Sequence, residues 1–237
     1  MEYRFSQVQR LEIVQKSSQC LWTKEGAPGL EHLTGFRKLS PEIIKEFNLG
    51  YIPSHVNHQL AGRIIMPLYD PSGNLICITT RLIDKNDILP IHWHERYEKS
   101  FYLYGILQSK EWMRKWKFSV IVEGQFDVLQ MHNHGMKNTL GLCCNKLSDV
   151  QKSVIYRYCR ELVVLMDVDK NSAGQEAAEK IVSTAWDGKN HCREYRDKIA
   201  AVQLDEVLDP DEYIRKHGIL PVKAAIKKTI QELRTNV

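Results

Sequence analysis

The chain has 237 residues, 43% of them hydrophobic and 26% charged, which suits one large domain or two small ones around a real core. Its net charge of +4 is too small by itself to demand a polyanionic partner. No apolar run approaches the roughly 20 residues of a membrane helix, and the polar first 20 residues do not form a signal peptide, so the expectation is a cytoplasmic protein with no membrane partner. The six cysteines are scattered, none in C-x-x-C spacing, so they read as reduced thiols and give no support to a zinc ribbon. The whole charge excess of +4 lies in residues 1–117, while residues 118–237 are neutral. A basic first part can hold phosphates, although a solvated lysine-rich surface looks the same.

In chain order, Ser40-Pro41 reads as an N-cap with proline at the first helical position, and Ile43, Ile44 and Phe47 give the helix its apolar stripe before Gly50. Ile64–Tyr69 and Leu75–Thr80 read as two strands of a hairpin closed by Asp70-Pro71-Ser72-Gly73. From residue 118 the pattern changes. Phe118–Val122 is a buried strand, followed by a helix to about His134 and a strand at Lys137–Leu142. Ser148 to Gln151 has capping-box form, with Val150, Val154, Ile155 and Tyr158 as the apolar face of the next helix. Leu162–Met166 is a third strand, Ala173 to Ala185 a helix, and Ile199–Leu204 a fourth strand. This alternation predicts an α/β fold with a mainly parallel, Rossmann-like sheet preceded by a smaller α+β subdomain. The expected division is 1–117, 118–205, and a C-terminal helical segment 206–237 with an amphipathic helix through Val222, Ile226, Ile230 and Leu233.

Ligand sites of such sheets lie beyond the carboxyl ends of the strands. There the sequence puts acids: Glu123 and Asp127 after the first strand, Asp167 and Asp169 after the third, Asp209 and Asp211 after the last. Clustered carboxylates repel one another unless a hard cation joins them, and Mg²⁺ commonly bridges carboxylates to phosphates. Two such ions about 4 Å apart support phosphoryl or nucleotidyl transfer. Asp209-Pro210-Asp211-Glu212 reads equally well as a helix cap. His92-x-His94 and His132-x-His134 have no cysteine partner nearby, and the Trp- and Lys-rich stretch Glu111–Lys117 reads as a linker helix more readily than as a surface for stacked bases.

Glu123-Gly124-Gln125-Phe126-Asp127 and Asp167-Val168-Asp169, the latter followed by Ala173-Gly174, resemble the E-G-x-x-D and D-x-D motifs of the Toprim domain. The flanks resemble the RNA polymerase core of DnaG-type DNA primases. The matching segments are Leu39–Tyr51, Gly62-Arg63 through Pro67 with Gly73 and Arg81, Lys99 with Leu103-Tyr104-Gly105, and Asp209-Pro210-Asp211. The likeness covers about residues 30–218.

This resemblance implies synthesis of short RNA primers from ribonucleoside triphosphates on single-stranded DNA. It implies Mg²⁺ or Mn²⁺, two or more ions, held by Glu123, Asp127, Asp167, Asp169, Asp209 and Asp211, with Glu123, Asp167 and Asp169 catalytic. It assigns Arg63, Arg81 and Lys99 to nucleotide or template phosphates. Implied partners are a replicative helicase and a separate zinc-binding primase subunit, because this chain lacks a zinc module, and it lacks a Walker A helicase motif too. The stretch between Asp169 and Ala173 is longer than the family's, and Ile91–Arg96 does not match a family segment that usually holds a lysine. The chain reads as a minimal core of a bacterial, phage or plasmid primase. A Toprim nuclease and a non-catalytic DNA-binding assembly protein are the alternative readings.

Overall fold

A computed structural model describes residues 5–83, 89–144, 146–167, 173–184 and 198–235. The chain divides into two compact units, Met1–Glu98 and Lys99–Val237.

In the first unit, α1 (Gln7–Cys20) is followed by α2 (Ala27–Glu31), α3 (Pro41–Glu46), β1 (Gly50–Ile52), β2 (Arg63–Tyr69), β3 (Leu75–Leu82) and β4 (His92–His94). The four strands form one antiparallel sheet in the order β1-β2-β3-β4. The hairpin between β2 and β3 is closed as its chemistry demands: Asp70 Oδ1 accepts from the N–H groups of Ser72 and Asn74, and Gly73 sits at φ 92°, where a side chain would be strained. Ser40 caps α3 by accepting from Ile43 N–H.

The polar N-terminal segment is a helix that the sequence did not announce, since only Val14 and Ser17 of α1 are buried. A buried carboxylate ties it down. Glu95, fully inaccessible, accepts from the N–H of Phe5, from Arg10 Nε at 3.0 Å on both oxygens, and from Ile78 N–H at 2.8 Å. A buried charge persists only when paired and hydrogen-bonded, and Glu95 is both.

The second unit begins with α4 (Ile106–Trp116), then β5 (Phe118–Val122), α5 (Gln125–Asn133), β6 (Thr139–Gly141), α6 (Asp149–Ile155), β7 (Glu161–Val164), α7 (Ala173–Thr184), β8 (Lys198–Ala201), α8 (Pro210–His217) and α9 (Leu220–Thr235). All four strands are parallel, in the order β6-β5-β7-β8. Continuous apolar runs such as Val120, Ile121 and Val122 are wholly buried, as expected for strands covered on both faces. α4 packs on β5 and β6 and so belongs to this unit. In α6, Val150 is 43% exposed rather than part of the apolar face. Gln151 is buried in its place, where its amide donates to the carbonyls of Lys99 and Tyr102.

Beneath β6 lies a buried polar cluster. Ser109 on α4 donates to the carbonyl of Thr139, and the His132 ring lies 3.1 Å from both groups. Burial pushes the His132 imidazole down to about 4. The unfolded chain takes up a proton near the ordinary value of 6.5, so the folded state loses stability as pH falls from 6.5 toward 4. Urea unfolding should show a loss of about 3 kcal/mol across that window, and His132→Gln should remove most of the slope.

Candidate active site

The order of strands creates the site. From β5 the chain moves outward to β6, then crosses back to β7 on the other side of β5. This reversal opens a crevice between the carboxyl ends of β5 and β7. Glu123 stands at the end of β5 and Asp167 just after β7, on either side of it. Both are half-buried.

Asp127 is the hub. It is 5% exposed, in the first turn of α5. Its Oδ2 accepts from Gly124 N–H at 2.8 Å and its Oδ1 from Asp211 N–H at 3.0 Å. One carboxylate therefore caps α5 and ties the start of α8 to it, across 84 residues of sequence. Burial, with the negative charges of Asp167 and Asp209 next in effect, raises its pKa well above the ordinary carboxylate value. Gly174 explains how α7 starts so close to this rim. A Cβ there would lie 1.9 Å from the carbonyl oxygen of Asp167, so only glycine permits the approach.

Asp209 and Asp211 sit where α8 begins, and both take part in its local structure. Asp209 caps the helix by accepting from Glu212 N–H at 2.6 Å. Asp211 is buried, and its Oδ2 accepts from Nε and Nη2 of Arg215 at 3.2 and 3.0 Å. The structure thus brings Asp127, Asp167, Asp209 and Asp211 to one rim with Glu123 on the neighbouring strand end. Asp169 lies outside the described residues. Among the described residues no three His, Cys, Asp or Glu side chains form a ready-made metal cage. The donors that are present are all carboxylate oxygens; burial raises the Asp127 pKa most, and the neighbouring charges of Asp167 and Asp209 add an imbalance that a hard divalent cation would relieve. The residues fit such an ion.

The cations are placed differently. The Arg63 guanidinium is 2% exposed and donates to the carbonyls of Pro90 and Ile91 at 2.7 and 3.2 Å and weakly to Thr80 Oγ1, so it braces the 90–91 loop. Arg81 is half-exposed on β3, with Nη1 3.1 Å from the His92 ring. Lys99 is half-exposed at the start of the second unit, and its carbonyl receives the Gln151 amide. The bracing role of Arg63 and the double hydrogen bond of Asp127 are long-range facts that residue spacing does not reveal.

A family profile described as Toprim-like matches residues 120–214. A DNA primase of Myxococcus xanthus is 32% identical over 161 residues, covering 66% of this chain and 25% of that protein. A DNA primase of Synechococcus elongatus is 23% identical over 250 residues, covering 89% of this chain and 35% of that protein. The chain therefore spans only about a quarter to a third of these relatives. Among solved structures, the DnaG catalytic core aligns over 94% of this chain and 80% of its own, with TM-score 0.80 and 18% identity. The E. coli primase catalytic core aligns over 95% and 79%, with TM-score 0.78 and 18% identity. Both units of the chain fall within these alignments. On these likenesses the chain carries a Toprim-like stretch across residues 120–214, is similar in sequence to DNA primases, and shares the fold of the DnaG catalytic core.

Proposed function

We propose that this chain is the catalytic core of a primase, joining ribonucleotides into short RNA on a single-stranded DNA template. The observation that carries the reading is the carboxylate rim around Asp127, at the switch point of a parallel sheet, in a chain whose fold likeness to the DnaG catalytic core covers 94% of its length. A solved DnaG catalytic domain bound to single-stranded DNA, with TM-score 0.80 to this chain, supports a DNA template.

Glu123, Asp167 and Asp169 would hold Mg²⁺ or Mn²⁺, two or more ions, with Asp209 beside them. When bound, these ions supply charge stabilisation for an in-line attack of a 3′-hydroxyl on an α-phosphate. The chain's own residues do the positioning. Asp127 holds the starts of α5 and α8 together, so it fixes Asp209 and Asp211 relative to Glu123. Arg215 neutralises Asp211 and keeps it oriented. Arg81 and Lys99 are the cations we assign to nucleotide or template phosphates, and Arg63 braces the 90–91 loop next to His92, the partner of Arg81. A replicative helicase and a separate zinc-binding subunit are proposed partners, and a bacterial cytoplasm the proposed compartment. No helix among the described residues is long and apolar enough to cross a membrane.

The test is incorporation of labelled ribonucleotides on single-stranded DNA with Mg²⁺. Template-dependent RNA of short length supports the proposal. Metal-dependent cutting of the template without RNA would transfer the site to a nuclease.

A further inference from the structure

A second feature of the Lys99–Val237 unit faces away from the acids. A cavity of about 310 Å³ opens at the amino ends of β5 and β7, lined by Lys117, Tyr156, Arg157, Tyr158, Arg160 and Glu161 among others. The acids stand at the other ends of the same strands, a strand length of roughly 15 Å away. Arg157, Arg160 and Lys117 are exposed cations. The one acid of the lining, Glu161, is already bound by Nε and Nη2 of Arg234 at 2.9 and 2.7 Å.

Aromatic rings alternate with these charges. Arg160 lies over the Tyr156 ring at 5.4 Å and Arg114 over the Tyr158 ring at 4.8 Å. Beside the cavity, Trp112, Trp116 and Phe118 form a continuous row with ring centroids 5.3 and 6.4 Å apart. Lys115 and Lys137 both sit over Trp112, at 5.1 and 5.6 Å. Glu111, the nearby acid of this helix, is paired with Arg114 at 2.7 Å. Met113 and Ile106 are the α4 side chains that enter the core, so packing accounts for those two positions but not for three half-buried rings in a row among lysines.

Cations interleaved with stacking rings are the chemistry by which proteins hold single-stranded nucleic acid without reading its sequence. The row is longer than one base, which favours a strand over a mononucleotide. We infer that this face is a second contact for single-stranded polynucleotide, with phosphates on Lys117, Arg157 and Arg160 and bases against the Tyr and Trp rings. It lies outside the metal rim and requires no catalysis, so its failure and that of the primase reading are separable.

The test is fluorescence anisotropy of a labelled 12-nucleotide oligodeoxythymidylate, titrated with the full chain in EDTA at several salt concentrations. Arg157→Glu/Arg160→Glu should weaken binding at least about tenfold and lower the salt slope by about 1.4, the share of two phosphate contacts on a single strand. Arg157→Lys/Arg160→Lys should retain most of the affinity. Circular dichroism checks that the double variant is folded. Wild-type affinity in the folded Glu variant overturns the inference.

Discussion

Asp167→Asn should abolish RNA synthesis and make the metal-free protein more stable. On the function we propose, Asp167 is a metal ligand, and losing its carboxylate removes charge from the reacting phosphates, for which a fall of about 10³-fold in rate is expected. The stability gain follows from the other side of the same electrostatics. Asp127 is buried beside Asp167, and that negative charge helps to hold its pKa well above the ordinary value. A carboxyl group whose pKa is raised on folding binds its proton more tightly in the folded chain. Stability is then greatest below the unfolded value of 3.8 and declines as pH rises toward the folded value. Replacing Asp167 with a neutral isostere relieves part of that decline. At pH 8 without divalent cation the variant should gain about 1 kcal/mol, read as about 3 °C in Tm. Mg²⁺ should raise the Tm of wild type and leave that of the variant nearly unchanged.

Glu95→Ala should be the most damaging single substitution in the first unit. The side chain is fully buried and receives the N–H groups of Phe5 and Ile78 together with the Arg10 guanidinium. Truncation leaves all three donors without their acceptor, and one of them is a charge that is largely buried. A loss of about 3–5 kcal/mol is expected in urea unfolding. Glu95→Gln keeps an acceptor oxygen but turns an amide N–H₂ toward donors, so it should recover only part of the loss. Arg10→Ala should cost less than Glu95→Ala, because Glu95 then still accepts from two backbone N–H groups.

The parallel sheet was legible because buried strands read as continuous apolar runs and their helices carry caps at Ser148 and Asp209. Glu123 follows β5 directly and Asp167 comes three residues after β7, whereas Asp209 lies eight residues beyond β8, at the cap of α8. What the sequence hid was long-range. β1 and β4 are three residues each, too short for a period to show. α1 buries only two side chains, and its anchor, Glu95, lies 85 residues from Arg10. Arg63 occupied a position that the family resemblance assigned to nucleotide contact, yet its donors point at the carbonyls of residues 90 and 91. Asp127 was read as a ligand from its motif, but the hydrogen bond to Asp211 that makes it a joint between helices connects segments far apart in sequence. The capping reading of Asp209 holds, and its charge also bears on Asp127, the place from which we propose that it meets a metal ion.

The most direct measurement is Mn²⁺ binding followed by electron paramagnetic resonance, in wild type and Asp167→Asn, between pH 5.5 and 8. Wild type should bind Mn²⁺ stoichiometrically at pH 8, more weakly as pH falls because burial and the neighbouring negative charges make Asp127 take up a proton more readily, and the variant should lose that binding. Unchanged Mn²⁺ affinity in Asp167→Asn would contradict the assignment of the rim as the metal site.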